Sequence, residues 1–308
     1  MLRLIVTRAL AGIATLAIAS VVIFSATEIL PGDPATAALG REATPEAVAV
    51  LRKEFGLDRP AVVRYGDWAA GVVRFDFGES VANHIPVTRL INHRLKNTGI
   101  LLLATMLLLI PISLLLGTVS ALRQGSRLDA TIQVATLSTV ALPEFVVGLA
   151  LILVFAIGWT LLPAVSLTAS AKNLVLPVAT LLLLSVAYTA RMVRAGVIGA
   201  LMSEHVTMAR LKGMPERLVI RRHVLPNALG PACHAFALTM AWLAGGIVIV
   251  ETLFAYPGIG EGLIEAVAAR DFPTVEAICL VLAGVYVFAN LAADVFTILL
   301  TPRLRTEL

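Results

Sequence analysis

Charge is what this sequence has least of. Of its 308 residues only 14 % are charged while 58 % are hydrophobic, and the mean hydropathy is +0.91. Soluble domains carry about 25 % charged residues, so a water-soluble enzyme is excluded. Lysine is scarcer still: none of Lys53, Lys96, Lys172 and Lys212 follows a glycine. The Gly-Lys-[Ser/Thr] core of a phosphate-cradling loop is therefore absent, and the chain has no P-loop route to ATP hydrolysis. The two cysteines, Cys233 and Cys279, lie inside apolar stretches without C-x-x-C or metal-ligand spacing and read as buried small hydrophobes. His84, His93, His205, His223 and His234 never pair at i, i+4, so no metal site is expected, and no Ser/His/Asp or Cys/His set points to catalysis. The net charge of +4 and pI near 9.4 would suit nucleic acid in a soluble chain. At this hydropathy they assign the basic residues to loops beside a membrane, and no nucleic-acid partner is expected.

What is present is a series of long uncharged runs, which only a membrane or a protein-lined membrane interior tolerates. A span needs about 20 apolar residues, and the runs give Ala9–Thr27, Asn97–Leu122, Ala130–Gly158, Asn173–Ala190, Val224–Val250 and Ala277–Thr301. The third comes from an uninterrupted stretch, Ala130–Ala171, whose one charge is Glu144. As one helix that stretch would be roughly 63 Å long at about 1.5 Å per residue, so it must break. Pro163, the serines around it and Lys172 place the break at Trp159–Lys172. The expectation is an all-α polytopic protein of six transmembrane helices.

Six spans put both termini on one side, and Lys and Arg choose which. With the N-terminus inside, the inner segments hold thirteen basic residues against four acids, and the short outer loops hold only Lys172 and Arg270. The remaining nine lie in one long outer loop, Pro31–Lys96, of a length that crosses regardless of charge. The topology is N-in, C-in. A cleaved signal peptide is the alternative for the first segment, but its apolar run is long for that role and no A-x-A site closes it.

Two segments outside the spans are long enough to do more than connect. Residues 31–96 read as an extracytoplasmic cap, with a helix-like stretch from Thr44, Glu46 in its first turn, and Tyr65, Trp68, Phe75 and Phe77 beyond. This cap is either a structural plug or a docking surface. Residues 195–226 form a basic inner loop in which Gly213 suits the left-handed stop of a short helix and Pro215 bars that helix from restarting. Helix, glycine stop and second helix make a protruding elbow, unless the loop is only a solvated basic connection. Residues 1–30 then form the cytosolic N-terminus and first span, 97–302 the five-helix core and 303–308 a cytosolic tail.

In the elbow, Thr207-Met208-Ala209, Gly213 and Leu225-Pro226 resemble the E-A-A-x-x-x-G…L-P loop of ABC importer permeases, with Thr207 and Met208 replacing Glu and the first Ala. The resemblance extends over the chain. Leu30-Pro31-Gly32-Asp33-Pro34, Gly56-Leu57-Asp58, Asp76-Phe77-Gly78, Arg123-Gln124-Gly125 with Asp129, Gly245-Gly246 with Glu251, and Pro257-Gly258-Ile259-Gly260 are similar to the dipeptide/oligopeptide/nickel branch of those permeases. That resemblance implies a type I ABC importer permease (MetI-like) core in the bacterial cytoplasmic membrane. It implies a second homologous permease subunit, a pair of ATPase subunits that bind ATP and Mg, an external solute-binding protein, and di- or oligopeptide cargo. Nickel or another small solute is the alternative cargo. Ion-coupled secondary transport is the alternative mechanism, although it would call for internal repeats and several midplane ionisable residues. No cofactor is expected in this chain itself.

Any ATP work must then arrive mechanically through the elbow. Thr207, Ala209, Arg210, Lys212 and Gly213 are the expected coupling residues: Ala209 for close approach, Arg210 and Lys212 for ion pairs with the ATPase or for lipid headgroups, and Gly213 for the turn. Glu144, directly after Pro143, lies about 21 Å into its span, where a charge costs at least ~2.5 kcal/mol. It either lines the translocation path or packs helices in a protonated or hydrogen-bonded form. Asp33, Pro257, Gly258 and Gly260 are the expected external gate and docking positions. Glu28, Glu251 and Glu276 are expected near solvent at outer span ends, Asp294 near the inner end. Gly245-Gly246 is expected at an interface with a second permease subunit, or in packing within this chain.

Overall fold

The computed structural model describes residues 2–29, 36, 39, 43–54 and 56–300; Asp33 and its turn lie outside the described residues. Among these the only β pairing is an isolated bridge between Glu79 and Pro86. The helices are α1 (Leu2–Ile29), α2 (Pro45–Glu54), α3 (Ala61–Val73), α4 (Val87–Leu122), α5 (Arg127–Val140), α6 (Glu144–Leu151), α7 (Ala171–Leu201), α8 (Glu204–Leu211), α9 (Glu216–Val219), α10 (Leu225–Leu253), α11 (Ile259–Ala268) and α12 (Phe272–Leu300). π-Helical turns extend α6 through Ile152–Gly158 and join α9 to α10 through Ile220–Val224. Among the described residues, four helices are long and apolar enough to cross a membrane, or up to six if each of two bent pairs is one span.

The third predicted span is not a straight helix. Pro143 is extended at the start of α6, and α5 and α6 meet at 106°. Proline lacks an N–H and excludes helical backbone from the residue before it, so the chain turns sharply at Leu142-Pro143. The break expected at Trp159–Lys172 is also present, as an irregular segment ended by Ser170, whose hydroxyl accepts from the Asn173 N–H at the start of α7. Helix α4 begins ten residues before the predicted Asn97. Charge at Arg94 and Lys96 hides this extension in the sequence, but Val87 and Ile91 are buried against Ile259, Ala277 and Ile278.

The core is a stack of α4, α7 and α10, with α12 and α1 added on one flank. At Gly117 of α4 any side chain would sit 2.6 Å from the Ala190 carbonyl oxygen and from Val193 Cβ; small residues permit this kind of backbone approach where lipid offers no hydrophobic drive. Buried Ala228, Ala232, Ala235 and Ala241 do the same along α10. Near one end, the elbow end, Val193, Val197, Val206, Val219 and Val224 form one apolar cluster; toward the other end, Leu101, Leu181, Leu243, Ile247 and Phe254 form a second. Helix α1 is antiparallel to α12, joined by Arg8 to Asp294 at 3.3 Å and by Thr27 Oγ1 donating to Glu276 at 2.5 Å.

Two aromatics of the 31–96 segment, Tyr65 and Trp68, pack onto α1, whereas Phe75 is exposed and Phe77 packs against the Val87–Ile91–Ile278 cluster. Tyr65 of α3 meets Phe24 edge-on and Trp68 meets it tilted, with ring centroids at 5.5 and 5.9 Å, the Tyr65 hydroxyl bonds Ser20 Oγ at 2.9 Å, and Arg64 pairs with Glu28. No residue of α3 is buried. A Tyr65→Phe variant is predicted to loosen this helix by about 1 kcal/mol, read as faster backbone amide exchange across 61–73 with the core unchanged.

Candidate functional site

The elbow is built as the glycine and proline require. Helix α8 ends at Leu211, Gly213 sits at φ +75, and Pro215, in extended backbone, directly precedes α9. Left-handed backbone disfavours any residue with a Cβ by about 1–2 kcal/mol. Gly213→Ala is therefore predicted to weaken the turn by about 1 kcal/mol, visible as local amide exchange at 211–216 without global loss. Val206 and Ala209 turn inward, and Ala209, 4 % exposed, is part of the apolar cluster with Val193, Val197 and Val224. Its small side chain serves packing within this chain, which corrects its expected place on an outward contact surface. Thr207, Met208, Arg210, Leu211 and Lys212 face outward. Arg210 donates to Glu216 at 3.1 and 2.6 Å, a bidentate clasp across the glycine turn. The clasp raises Arg210 and lowers Glu216 from their ordinary pKa values, chiefly through the hydrogen bonds themselves. A depressed carboxylate contributes stability above its unfolded pKa and loses it as pH falls through the folded one. The clasp therefore holds through the neutral range and opens only in acid.

Near the elbow end of α7, beside the buried Val193 and Val197, a second ion pair is enclosed. Asp129, 5 % exposed, accepts from Arg194 Nε at 2.9 Å and Nη2 at 2.8 Å, from Ser120 Oγ at 2.5 Å and from the Gly125 N–H at 3.0 Å. Four donors on one carboxylate lock together α4, the Arg123–Ser126 turn, α5 and α7.

At the opposite end Pro257, Gly258 and Gly260 do not form an open loop. Gly258 and Gly260 are buried because the segment wraps around Glu251. Glu251, 0 % exposed, accepts from Thr98 Oγ1 at 2.6 Å and from the Gly260 and Glu261 N–H groups at 2.7 and 3.4 Å. A Cβ on Gly258 would fall on that carboxylate, and one on Gly260 would meet Val248 Cα at 2.5 Å. Thr98 Oγ1 also accepts from Ile259 N at 2.8 Å, Asn97 Nδ2 donates to the Pro257 carbonyl at 2.9 Å, and the Tyr256 hydroxyl donates to the Asn97 carbonyl at 2.7 Å. Arg94 reaches the Gly258 carbonyl and also pairs with Glu261 and Glu265. Glu261, outside the long helices, lies above its ordinary pKa through burial and the neighbouring Glu265. The expectation that Glu251 and Glu276 reach solvent is thus corrected: they are 0 % and 7 % exposed, because each finds donors on a neighbouring segment.

Glu144 opens α6 at the sharp bend and is half-buried. It lines a cavity of about 490 Å³ with Leu184, Ser185 and Tyr188 of α7 and Leu238 and Trp242 of α10. Gly246 makes room for it: a Cβ there would lie 2.7 Å from Glu144 Oε1. Gly246 thus serves packing within this chain, one of the two uses its sequence allowed.

The whole chain can be compared with known proteins. Residues 110–306 match the model of the binding-protein-dependent transport system inner membrane component, and residues 1–101 match the model of the N-terminal part of such membrane components. The chain belongs to this family of transport permeases. The permease is 33 % identical over 308 residues to the probable peptide ABC transporter permease protein y4tP of Sinorhizobium fredii, covering 98 % of each chain. It is 33 % identical over 310 residues to the glutathione transport system permease protein GsiC of Escherichia coli K12, covering 99 % of each. Among solved structures, an amino acid ABC transporter crystallised with histidines aligns with a TM-score of 0.52 at 21 % identity, over 70 % of this chain and 94 % of that one, which shows a shared fold.

As a member of this family the permease is a multi-pass protein of the bacterial inner membrane. Its structure brings Arg210, Lys212, Thr207 and Gly213 together at the elbow, gathers Pro257, Gly258 and Gly260 around Glu251, and sets Glu144 apart in its cavity. Sequence reasoning missed Thr98, Arg94 and Asn97 as partners of the 257–260 segment, and Ser185 as a neighbour of Glu144. Their signal was faint: Thr98 and Asn97 are polar residues at the edge of an apolar run, and a lone serine inside a span is ordinary.

Proposed function

We propose that this permease is a transmembrane subunit of an ATP-driven importer that moves di- and oligopeptides delivered by an external solute-binding protein. It pairs with a second homologous permease subunit, and two ATPase subunits, which hold ATP and Mg, dock on the elbow at the cytosolic face. Full-length kinship with a permease named for peptides and one named for glutathione, itself a tripeptide, supports the cargo class.

The observation that carries the coupling role is the division of α8 into two faces. Met208 and Leu211 are 59 % and 77 % exposed beside Arg210 and Lys212, an apolar ridge with a basic rim. On the other side, Val206 and Ala209 are fixed in the apolar cluster shared with α7 and α10. A push on the outer face is therefore delivered to the two helices that line the core, since a close-packed interior moves as blocks and does not deform continuously. Alternating access follows if ATP-driven closure of the partners shifts α7 and α10 between two arrangements.

The test is co-purification of the tagged complex carrying Met208→Asp with Leu211→Asp. Both positions face outward, so the fold is retained. The expected result is loss of the ATPase subunits and of peptide uptake, with the second permease subunit still bound. Retained ATPase subunits and unchanged uptake would remove the elbow as the coupling site.

A further inference from the structure

The cavity at the α5–α6 bend contains two polar groups with nothing to bond. Ser185 is 2 % exposed, and its hydroxyl has no hydrogen-bond partner; Glu144 Oε2 is likewise buried without one. Both line the same space. A serine inside a helix ordinarily returns its hydroxyl to the carbonyl four residues back, as Thr239 does across this cavity by donating to the Ala235 carbonyl at 2.8 Å. Ser185 does not. Leaving a buried polar group unpaired costs about 1–3 kcal/mol, and a polar side chain at membrane depth is more costly still unless something meets it. Among the described residues no lysine, arginine or histidine lines the cavity, so none of them supplies Glu144 with a counter-charge there.

The remaining walls are apolar and aromatic. Tyr188 and Trp242 are 43 % and 50 % exposed at the cavity, with Leu184 and Leu238 beside them. A carboxylate, an adjacent hydroxyl and two aromatic rings together suit a primary ammonium, which donates to oxygen and is attracted to ring faces. The apolar walls suit a hydrocarbon side chain next to that ammonium, and about 490 Å³ falls in the range of small-ligand sites, about 300–1,000 Å³.

We infer that this cavity is a recognition subsite for the free α-amino end of a transported peptide, with Glu144 pairing the ammonium, Ser185 accepting a further N–H and the Leu184–Leu238 wall holding the first side chain. The inference rests on the peptide reading above and adds which end of the peptide this chain recognises. Gly246 is part of the site, because any larger residue would displace the Glu144 carboxylate.

The experiment is ATP-dependent uptake of radiolabelled tri-alanine and of its Nα-acetyl derivative by proteoliposomes holding the complete complex and its binding protein. Wild type is compared with Glu144→Gln, Glu144→Asp and Ser185→Ala. Because the binding protein is the same throughout, a change in the preference ratio between the two peptides reports on the permease. The expected result is that Glu144→Gln reduces the preference for the free amino end at least tenfold, Ser185→Ala severalfold, and that Glu144→Asp restores most of it. Equal loss for both peptides with an assembled complex, or an unchanged ratio, would overturn the subsite and leave the importer reading intact. A wild-type complex that takes up neither peptide, while still hydrolysing ATP, would instead overturn the peptide reading from which the subsite is drawn.

Discussion

Replacing Glu251 with leucine is expected to lower the stability of the permease by about 2–5 kcal/mol, with the loss concentrated at the end of the molecule away from the elbow. The carboxylate is fully buried and accepts from Thr98 and from two backbone N–H groups. Leucine fills the volume but accepts nothing. The Thr98 hydroxyl can turn to a carbonyl of its own helix, whereas the Gly260 and Glu261 N–H groups are fixed by the start of α11. Each orphaned buried donor costs about 1–3 kcal/mol. Thermal unfolding in detergent, followed with a thiol-reactive dye that labels half-buried Cys233 and Cys279 as the helices part, reads the effect directly. Glu251→Gln, which keeps one acceptor oxygen, should recover part of the loss. A leucine variant that melts with the wild type would mean that the wrapped segment is held by its apolar contacts alone.

The second large effect is expected at the opposite end, from Asp129→Ala. This carboxylate accepts from Arg194 Nε and Nη2, Ser120 and Gly125, and removing it leaves a guanidinium that is only 22 % exposed without its partner. Breaking an enclosed ion pair from one side costs about 3–5 kcal/mol, and residual exposure of Arg194 puts this one near the lower figure. The double variant Asp129→Ala with Arg194→Ala should be less destabilised than the sum of the single changes, since no charge is then stranded. Strict additivity in the dye melt would refute the coupling. The two predictions also separate by function. Asp129 sits where α4, α5 and α7 meet beside the elbow, so on the proposed coupling role of the elbow its loss should uncouple ATP hydrolysis from uptake. Glu251 holds the far segment, so its loss should act first on stability.

The sites were legible to different degrees. The elbow could be read almost residue by residue, because Gly213 and Pro215 act through local backbone chemistry that holds whatever surrounds them. The inward turn of Ala209 could not be read, since which face of an eight-residue helix is buried depends on α7 and α10. Glu144 stood out as the one charge in a 42-residue run. Its neighbour Ser185 lies 41 positions later and shares a cavity with it only through the packing of α6 on α7. Glu251 misled for the opposite reason: position near a span end suggested water, while the next loop folds back and supplies its donors.

By itself, the sequence determined that this chain is helical, lies in a membrane and belongs with binding-protein-dependent permeases. It also located the elbow and ruled out a P-loop. Those properties follow from hydropathy summed over about twenty residues, from backbone rules at glycine and proline, and from motifs written in consecutive positions. Only the tertiary structure decided which acids are enclosed, which helices the elbow can move, and that an unpaired carboxylate and an unpaired hydroxyl share one cavity. The reason is physical: a span is specified by average transfer energy, which is nearly blind to order, whereas burial and pairing at membrane depth depend on which distant residue the packing of helices sets opposite.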